Sequence, residues 1–183
     1  MKRGQATREK IERASMALFL EKGVNGTSVR DIAEACGIAE GTLYRHFHSK
    51  EEMIREIFTE HYVAFSQRLS GAAAAVPGLE GKVACLVALF CGLYDEDPIL
   101  FGFLLMVQHR QIERLPAELP NAIDVVHDLL AADPRVVEPM AATASLFGIL
   151  VHNAMFVRHG RIPAPLSGAA PQLTRQVMAA VTA

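Results

Sequence analysis

The stretch TSVRDIAEACGIAEGTLYRHFHSKEEM, Thr27 to Met53, sets three helix boundaries in a span that leaves room only for short, sharply turned helices. Thr27 and Ser28 can each cap a helix. Asp31 stands three residues after Ser28, the spacing of a capping box, in which side chains satisfy the free N–H groups of a first helical turn. Gly37 ends that helix, because a residue without Cβ reaches positive φ cheaply. Ser49 with Glu52 repeats the box, so a further helix starts at Lys50. One short helix, over about 39–46, fits between the stop and the second start.

The rest of the chain is also helical in pattern. Ile11, Ala14, Leu18 and Phe19 share a stripe over residues 5–22, which Gly23 stops. Met53, Ile54, Ile57, Phe58, His61, Phe65 and Leu69 extend the helix begun at Lys50 to GAAAAVPG at 71–78, which reads as a linker. Apolar residues then recur at helical spacing from 83 to 94, and Pro98 opens a helix carrying Leu100, Phe101, Leu104, Met106 and Val107. Two more helices span 121–132 and 135–159, and a last one carries Leu173, Val177 and Val181 at four-residue spacing. Alternating runs of Val, Ile and Thr are absent, so the fold class is all-α with about nine helices. The expected division is a three-helix domain at 1–48, a connecting helix at 49–70 and a larger helical domain at 71–183.

Charge separates the two ends. Residues 1–50 carry nine Lys and Arg against six acidic residues, whereas residues 51–183 carry nine against fourteen. The first segment suits a polyanion and the second does not. Cys36, Cys85 and Cys91 are odd in number and lie in apolar surroundings, which fits reduced thiols in a cytoplasm. Met1-Lys2-Arg3 leads into a polar run, so no signal peptide is expected. VACLVALFCGLY is too short to span a bilayer and stops at Asp95, so no membrane association is expected. His109 has no second ligand four residues on, and His152 and His159 are seven apart; no metal or cofactor is expected.

Two short helices joined by a tight Gly turn form the outline of a helix-turn-helix, whose second helix enters the major groove of DNA. The residues sharpen that outline. Thr27 to Met53, preceded by Ile11, Leu18, Phe19 and Gly23 at suitable distances, closely resembles the N-terminal domain of the TetR family of transcriptional regulators. The resemblance implies a homodimer with DNA-binding domains at the N-termini. It also implies a C-terminal domain that binds a small effector and dimerises through its last two helices, the eighth and ninth. In the family, the positions matching Thr42, Tyr44, His46 and Lys50 are used on double-stranded DNA.

The residues bear on those roles individually. Leu43 and Phe47 are four apart and form the inner face of the short helix. Gly41 lets its backbone approach the groove, while Thr42 and Tyr44 offer hydroxyls to phosphates. Arg45 can grip guanine bidentately, and Arg30 is a candidate for phosphate or base contact. Lys50 sits in a first helical turn, where free N–H groups already favour an anion. Two positions depart from the family: Ala39 stands where Ser usually caps the recognition helix, and Glu40 would repel phosphate but can accept a hydrogen bond from cytosine.

Phe90, Tyr94, Phe101, Met106, His109, Phe147, His152 and Met155 are the candidate effector contacts, on apolar helices that suit a hydrophobic or amphipathic ligand. The Ala-rich eighth helix permits close approach of a second copy, and a two-fold dimer calls for a palindromic operator. No GxSxG, HExxH or P-loop occurs, so an enzyme is not expected. A DNA binder without effector, or an adaptor that uses the expected dimer face for another protein, are the remaining classes; ligand addition to DNA-bound protein and solution mass separate them.

Overall fold

The computed structural model describes residues 2–183, with side-chain surroundings from Gly4 onward. Nine α-helices account for most of it: α1 (Lys2–Lys22), α2 (Val29–Cys36), α3 (Glu40–Tyr44), α4 (Lys50–Ala74), α5 (Leu79–Glu96), α6 (Pro98–Gln111), α7 (Ala122–Ala131), α8 (Pro139–Arg158) and α9 (Ala170–Val181). Short 3-10 turns lie at Ile112–Arg114 and Leu166–Ala169, and no strand occurs among the described residues. The fold class is all-α, as the spacing of apolar residues requires.

The chain forms two compact units. The first comprises residues 1–61 with 99–115, and the second residues 62–98 with 116–183. Thus α4 contributes its first half to one unit and its second half to the other, and nearly all of α6 belongs to the first. Two local readings of the sequence need correction. Gly71–Ala74 is the last turn of α4, with Ala73 buried, so half of the supposed linker is helix; alanine is the best helix former, and its repetition there propagates the helix. In α1 the buried stripe is Ile11, Ser15, Met16 and Phe19, with Ala14 and Leu18 only half-buried. Ser15 can enter this core because its hydroxyl donates to Ile11 O at 2.7 Å and approaches Met53 Sδ at 3.0 Å.

In the first unit Ser15 of the α1 stripe reaches Met53 of α4, Met53, Ile57 and Phe58 are all buried, and the Phe19 and Phe103 rings stack with centroids 6.2 Å apart. Gly23, at φ 75°, ends α1, and its N–H donates to Phe19 O at 2.9 Å. Thr27 belongs to that end as well: its hydroxyl bonds Leu18 O and Gly23 O, which leaves Ser28 as the cap of α2.

In the second unit α9 packs on α5 and α8 through Leu173, Val177 and Val181, all buried. Tyr62 on α4 donates to Asn121 Oδ1 at 2.8 Å, the same oxygen that caps α7 through Ile123 N–H. Arg135 ties the α7–α8 turn to the start of α5 by pairing with Asp133 and Glu80. Asp95 does the equivalent at the other end of α5, accepting from the N–H groups of Leu166 at 2.8 Å and Ser167 at 2.9 Å.

Burial pushes the Asp95 carboxyl up, but the hydrogen bonds from Ser167 and Leu166 outweigh it and hold it below the ordinary aspartate range. A depressed carboxyl stabilises the fold above its unfolded-state pKa and loses that contribution as pH falls through the folded-state value, here below about pH 4. Asp95→Asn should therefore cost about 1–2 kcal/mol at neutral pH, and the gap from wild type should narrow toward pH 3. Urea midpoints at pH 7 and pH 3 check this, and an equal gap at both would exclude the carboxylate as its source.

The face that α8 leaves open is the most unusual surface of this unit. Ala142, Thr143, Leu146, Leu150, Ala154 and Val157 pack inward. On the other side Met140 is 58% and Phe156 52% exposed, with Ala144 and Met155 also outward. By length and composition α8 is apolar enough to cross a membrane, with a mean hydropathy of 1.6, yet only 33% of that window is buried within the chain.

Candidate nucleic-acid interface

The second and third helices are built from caps outward. Ser28 Oγ accepts from Asp31 N–H at 3.1 Å and Asp31 Oδ2 accepts from Ser28 N–H at 2.7 Å, a complete capping box. The Ser28 hydroxyl also donates to Asp31 Oδ2, and this bond together with that from the Ser28 N–H holds the Asp31 carboxyl below its ordinary range. At the far end Gly37 lies in the left-handed region, φ 62° and ψ 37°, and Ile38 N–H closes on Ala33 O at 3.0 Å. The chain thereby reverses within three residues and enters α3.

α3 is shorter than the 39–46 read from sequence. It has five residues, and Ala39 occupies its N-cap position without any side-chain bond. Beyond Tyr44 the path is held by His46 and Phe47 N–H groups, which both reach Leu43 O, at 2.9 and 3.0 Å. Leu43 and Phe47 are buried at 0% and 1% exposure. Two anchors on one side leave the opposite side of a short helix open.

That open side carries the candidate contacts. Glu40, Gly41, Tyr44 and Arg45 are exposed, Tyr44 by 46%, while Thr42 and His46 are half-buried. Arg45 Nη2 donates to Thr42 Oγ1 at 3.0 Å, so these two side chains are already paired. Arg30 is bonded through Nε to Glu34 at 2.9 Å, and that bond, with the charges of Glu34 and Glu40, raises its pKa. The Arg30–Glu34 pair is fully at the surface, where exchanging a carboxylate for another anion costs little.

Gly41 is open in the full sense: a Cβ built there meets nothing within 4 Å. Gly41→Ala should thus stabilise the protein by up to about 1 kcal/mol through helix propensity. If α3 approaches DNA through this backbone, the same change should weaken DNA binding. A variant that melts higher and binds DNA as tightly as wild type would exclude close backbone approach at Gly41; melting curves and a DNA titration read both.

Lys50 departs most from its sequence reading. Its ammonium is not free above the first turn of α4 but donates to Val24 O at 2.8 Å and Thr27 O at 2.9 Å, carbonyls of the α1–α2 turn. An ammonium has three N–H donors, so one remains for a phosphate. The second capping box is also shifted: Glu52 N–H donates to Ser49 Oγ at 3.0 Å, but the Glu52 carboxylate accepts from His48 N–H, one residue further back.

The eight effector candidates are divided between the two units. Phe90 and Tyr94 are buried on α5 in the second unit, and Phe147 is half-buried on α8. Phe101 is buried while Met106 and His109 are exposed on the part of α6 in the first unit. His152 and Met155 lie among the exposed residues of α8, and the His152 ring nitrogen Nδ1 is 2.8 Å from Gly148 O. Among the described residues no group of three His, Cys, Asp or Glu is placed to hold a metal ion.

A Gly-capped helix, a sharp turn and a short open helix seated on two buried anchors define a helix-turn-helix module. Residues 11–57 match the family described as bacterial regulatory proteins, tetR family. The HTH-type transcriptional repressor KstR2 of Mycolicibacterium smegmatis is 40% identical over 53 residues, which cover 29% of this chain and 26% of that protein. The match therefore spans about a quarter of the relative's length. Over the whole fold the chain is similar to solved structures that include two FadR regulators. The fatty acid degradation regulator FadR from Bacillus halodurans superposes with TM-score 0.74 at 17% identity, over 94% of each chain. FadR from Bacillus subtilis, solved in complex with stearoyl-CoA, gives TM-score 0.72 at 17% identity, over 94% of this chain and 98% of that one.

Proposed function

We propose that this protein is a ligand-responsive transcriptional regulator, a repressor that binds a palindromic operator as a homodimer and is released by a hydrophobic small molecule. The observation that carries the DNA-binding part is the open face of α3, where Gly41, Tyr44 and Arg45 stand clear of the protein above buried Leu43 and Phe47. Arg30, Glu40, Thr42, His46 and Lys50 complete the contact set, with Lys50 offering its third N–H to a phosphate. Two such heads on a two-fold axis would meet half-sites about 34–36 Å apart.

The dimer proposal rests on α8. An apolar helix with most of its surface outside the chain's own core calls for cover, and a second copy of α8 and α9 supplies it with matching chemistry on both sides. His152 and Met155 then belong to this contact as much as to an effector site. Phe90 and Tyr94, one turn apart on the buried side of α5, are the stronger candidates for an apolar effector wall. A fold neighbour solved with stearoyl-CoA makes a long-chain acyl thioester a reasonable first effector to try.

Effector action follows from linkage: a ligand lowers DNA affinity only by favouring a dimer geometry that mis-spaces the two heads. α4 is the proposed lever, since it carries Lys50 at one end and Tyr62, tied to the α7 cap, further along. The test is titration of the purified protein onto DNA upstream of its own gene, with and without stearoyl-CoA and other apolar compounds. Absence of binding to that or any palindromic DNA at low salt would exclude the reading. Binding that no ligand reverses would leave a DNA-binding protein without effector.

A further inference from the structure

Arg8 of α1 lies outside every set of DNA contacts considered above, yet it links α1 to α4 and to the turn that follows α3 in the first unit. Its guanidinium carbon sits 4.5 Å above the centre of the Phe47 ring, the anchor where the chain leaves α3. Its Nε lies 2.8 Å from Glu12 Oε1 on the next turn of α1, and its Nη2 lies 3.0 Å from Glu56 Oε2 on α4. A planar, forked cation is suited to this job, because one face stacks on a ring while the edge bonds two carboxylates. The Arg8 pKa is raised: burial lowers it, but the bond to Glu56 and the charges of Glu12, Glu56 and Glu60 prevail.

The geometry points to Arg8 as a positioning residue for DNA recognition: it fixes the exit of α3 against α1 and α4, and so sets the angle at which Tyr44 and Arg45 are presented, without itself touching DNA. The inference rests on the proposal that α3 reads DNA. Phe47 is buried and holds α3 from beneath, so its lateral freedom is limited by what lies on its ring. Arg8 lies on that ring, and its two carboxylate partners on different helices keep it from swinging away.

The alternatives are a phosphate contact and a purely structural ion pair, and three variants separate them. Arg8→Lys keeps the charge but loses the fork and the flat face. Arg8→Met removes the charge and leaves Glu12, whose side chain is 10% exposed, without its cation. Arg8→Met with Glu12→Gln removes that buried charge as well, so stability should recover. A positioning role predicts that all three bind the operator about ten-fold or more weakly, below their melting temperatures, with a relaxed base preference and an unchanged dependence of log affinity on log salt.

A phosphate contact predicts instead that Arg8→Lys binds almost normally and that Arg8→Met lowers the salt slope by about one unit. A structural pair predicts a lower melting temperature in Arg8→Met, restored in the double variant together with full DNA affinity. Either result overturns the proposal. Wild-type protein in the same titration is the control: no binding by it overturns the DNA-binding reading and this inference together, whereas normal binding by every variant overturns this inference alone.

Discussion

Phe47→Ala should be the most damaging single truncation near the reading helix, costing about 3–5 kcal/mol of stability and abolishing DNA binding. Removing a buried Phe loses its transfer free energy and leaves a cavity that the surroundings only partly refill. Here the ring also supports α3 from below and carries Arg8 on its face, so the loss extends to the alignment of Tyr44 and Arg45. The cost is a large share of the roughly 5–15 kcal/mol that stabilises a typical domain. Thermal melts with a DNA titration at low temperature measure both parts. A variant that melts within a degree or two of wild type would show that Phe47 is not an anchor.

A change of comparable size is expected on α8. Met140→Glu with Phe156→Glu places two charges on a face that is open in the single chain, so each copy should still fold. If that face is the dimer seam, each copy would bury a charge near either end of α8 in the contact and the dimer should dissociate. A monomer loses the second half-site, and linked binding typically contributes about 10²–10⁴ in affinity. Sedimentation should give half the wild-type mass, and DNA affinity should fall within that range. An unchanged dimer would place the seam elsewhere, and a monomeric wild type would remove the dimer proposal.

Local signals were read well from sequence because their partners are three or four residues apart. The Ser28–Asp31 box and the left-handed Gly37 are decided within one helical turn, and both occur as read. Leu43 and Phe47 are also local, since a four-residue spacing puts both on one side. Lys50 was read as a free cation because its carbonyl partners lie 26 and 23 residues upstream, and backbone carbonyls leave no mark in a sequence. The same holds for Arg8: its pairing with Glu12 is visible at four-residue spacing, but Phe47 and Glu56 are brought to it only by folding. GAAAAVPG misled through composition, since small residues suggest a flexible joint while four alanines favour continued helix. The effector candidates rest on residue type and on the apolar character of their helices, and neither says which helix face is turned inward.

The missing cap at Ala39 has a thermodynamic consequence for recognition. A five-residue helix with no side-chain bond at its start holds few internal hydrogen bonds, and its shape depends on Leu43 and Phe47 beneath it. Its first turn therefore keeps N–H groups that no side chain caps, and DNA phosphates would supply partners for them. Capping of that turn by phosphate should make complex formation release more heat than it would for a reading head whose first turn is already capped by its own side chain.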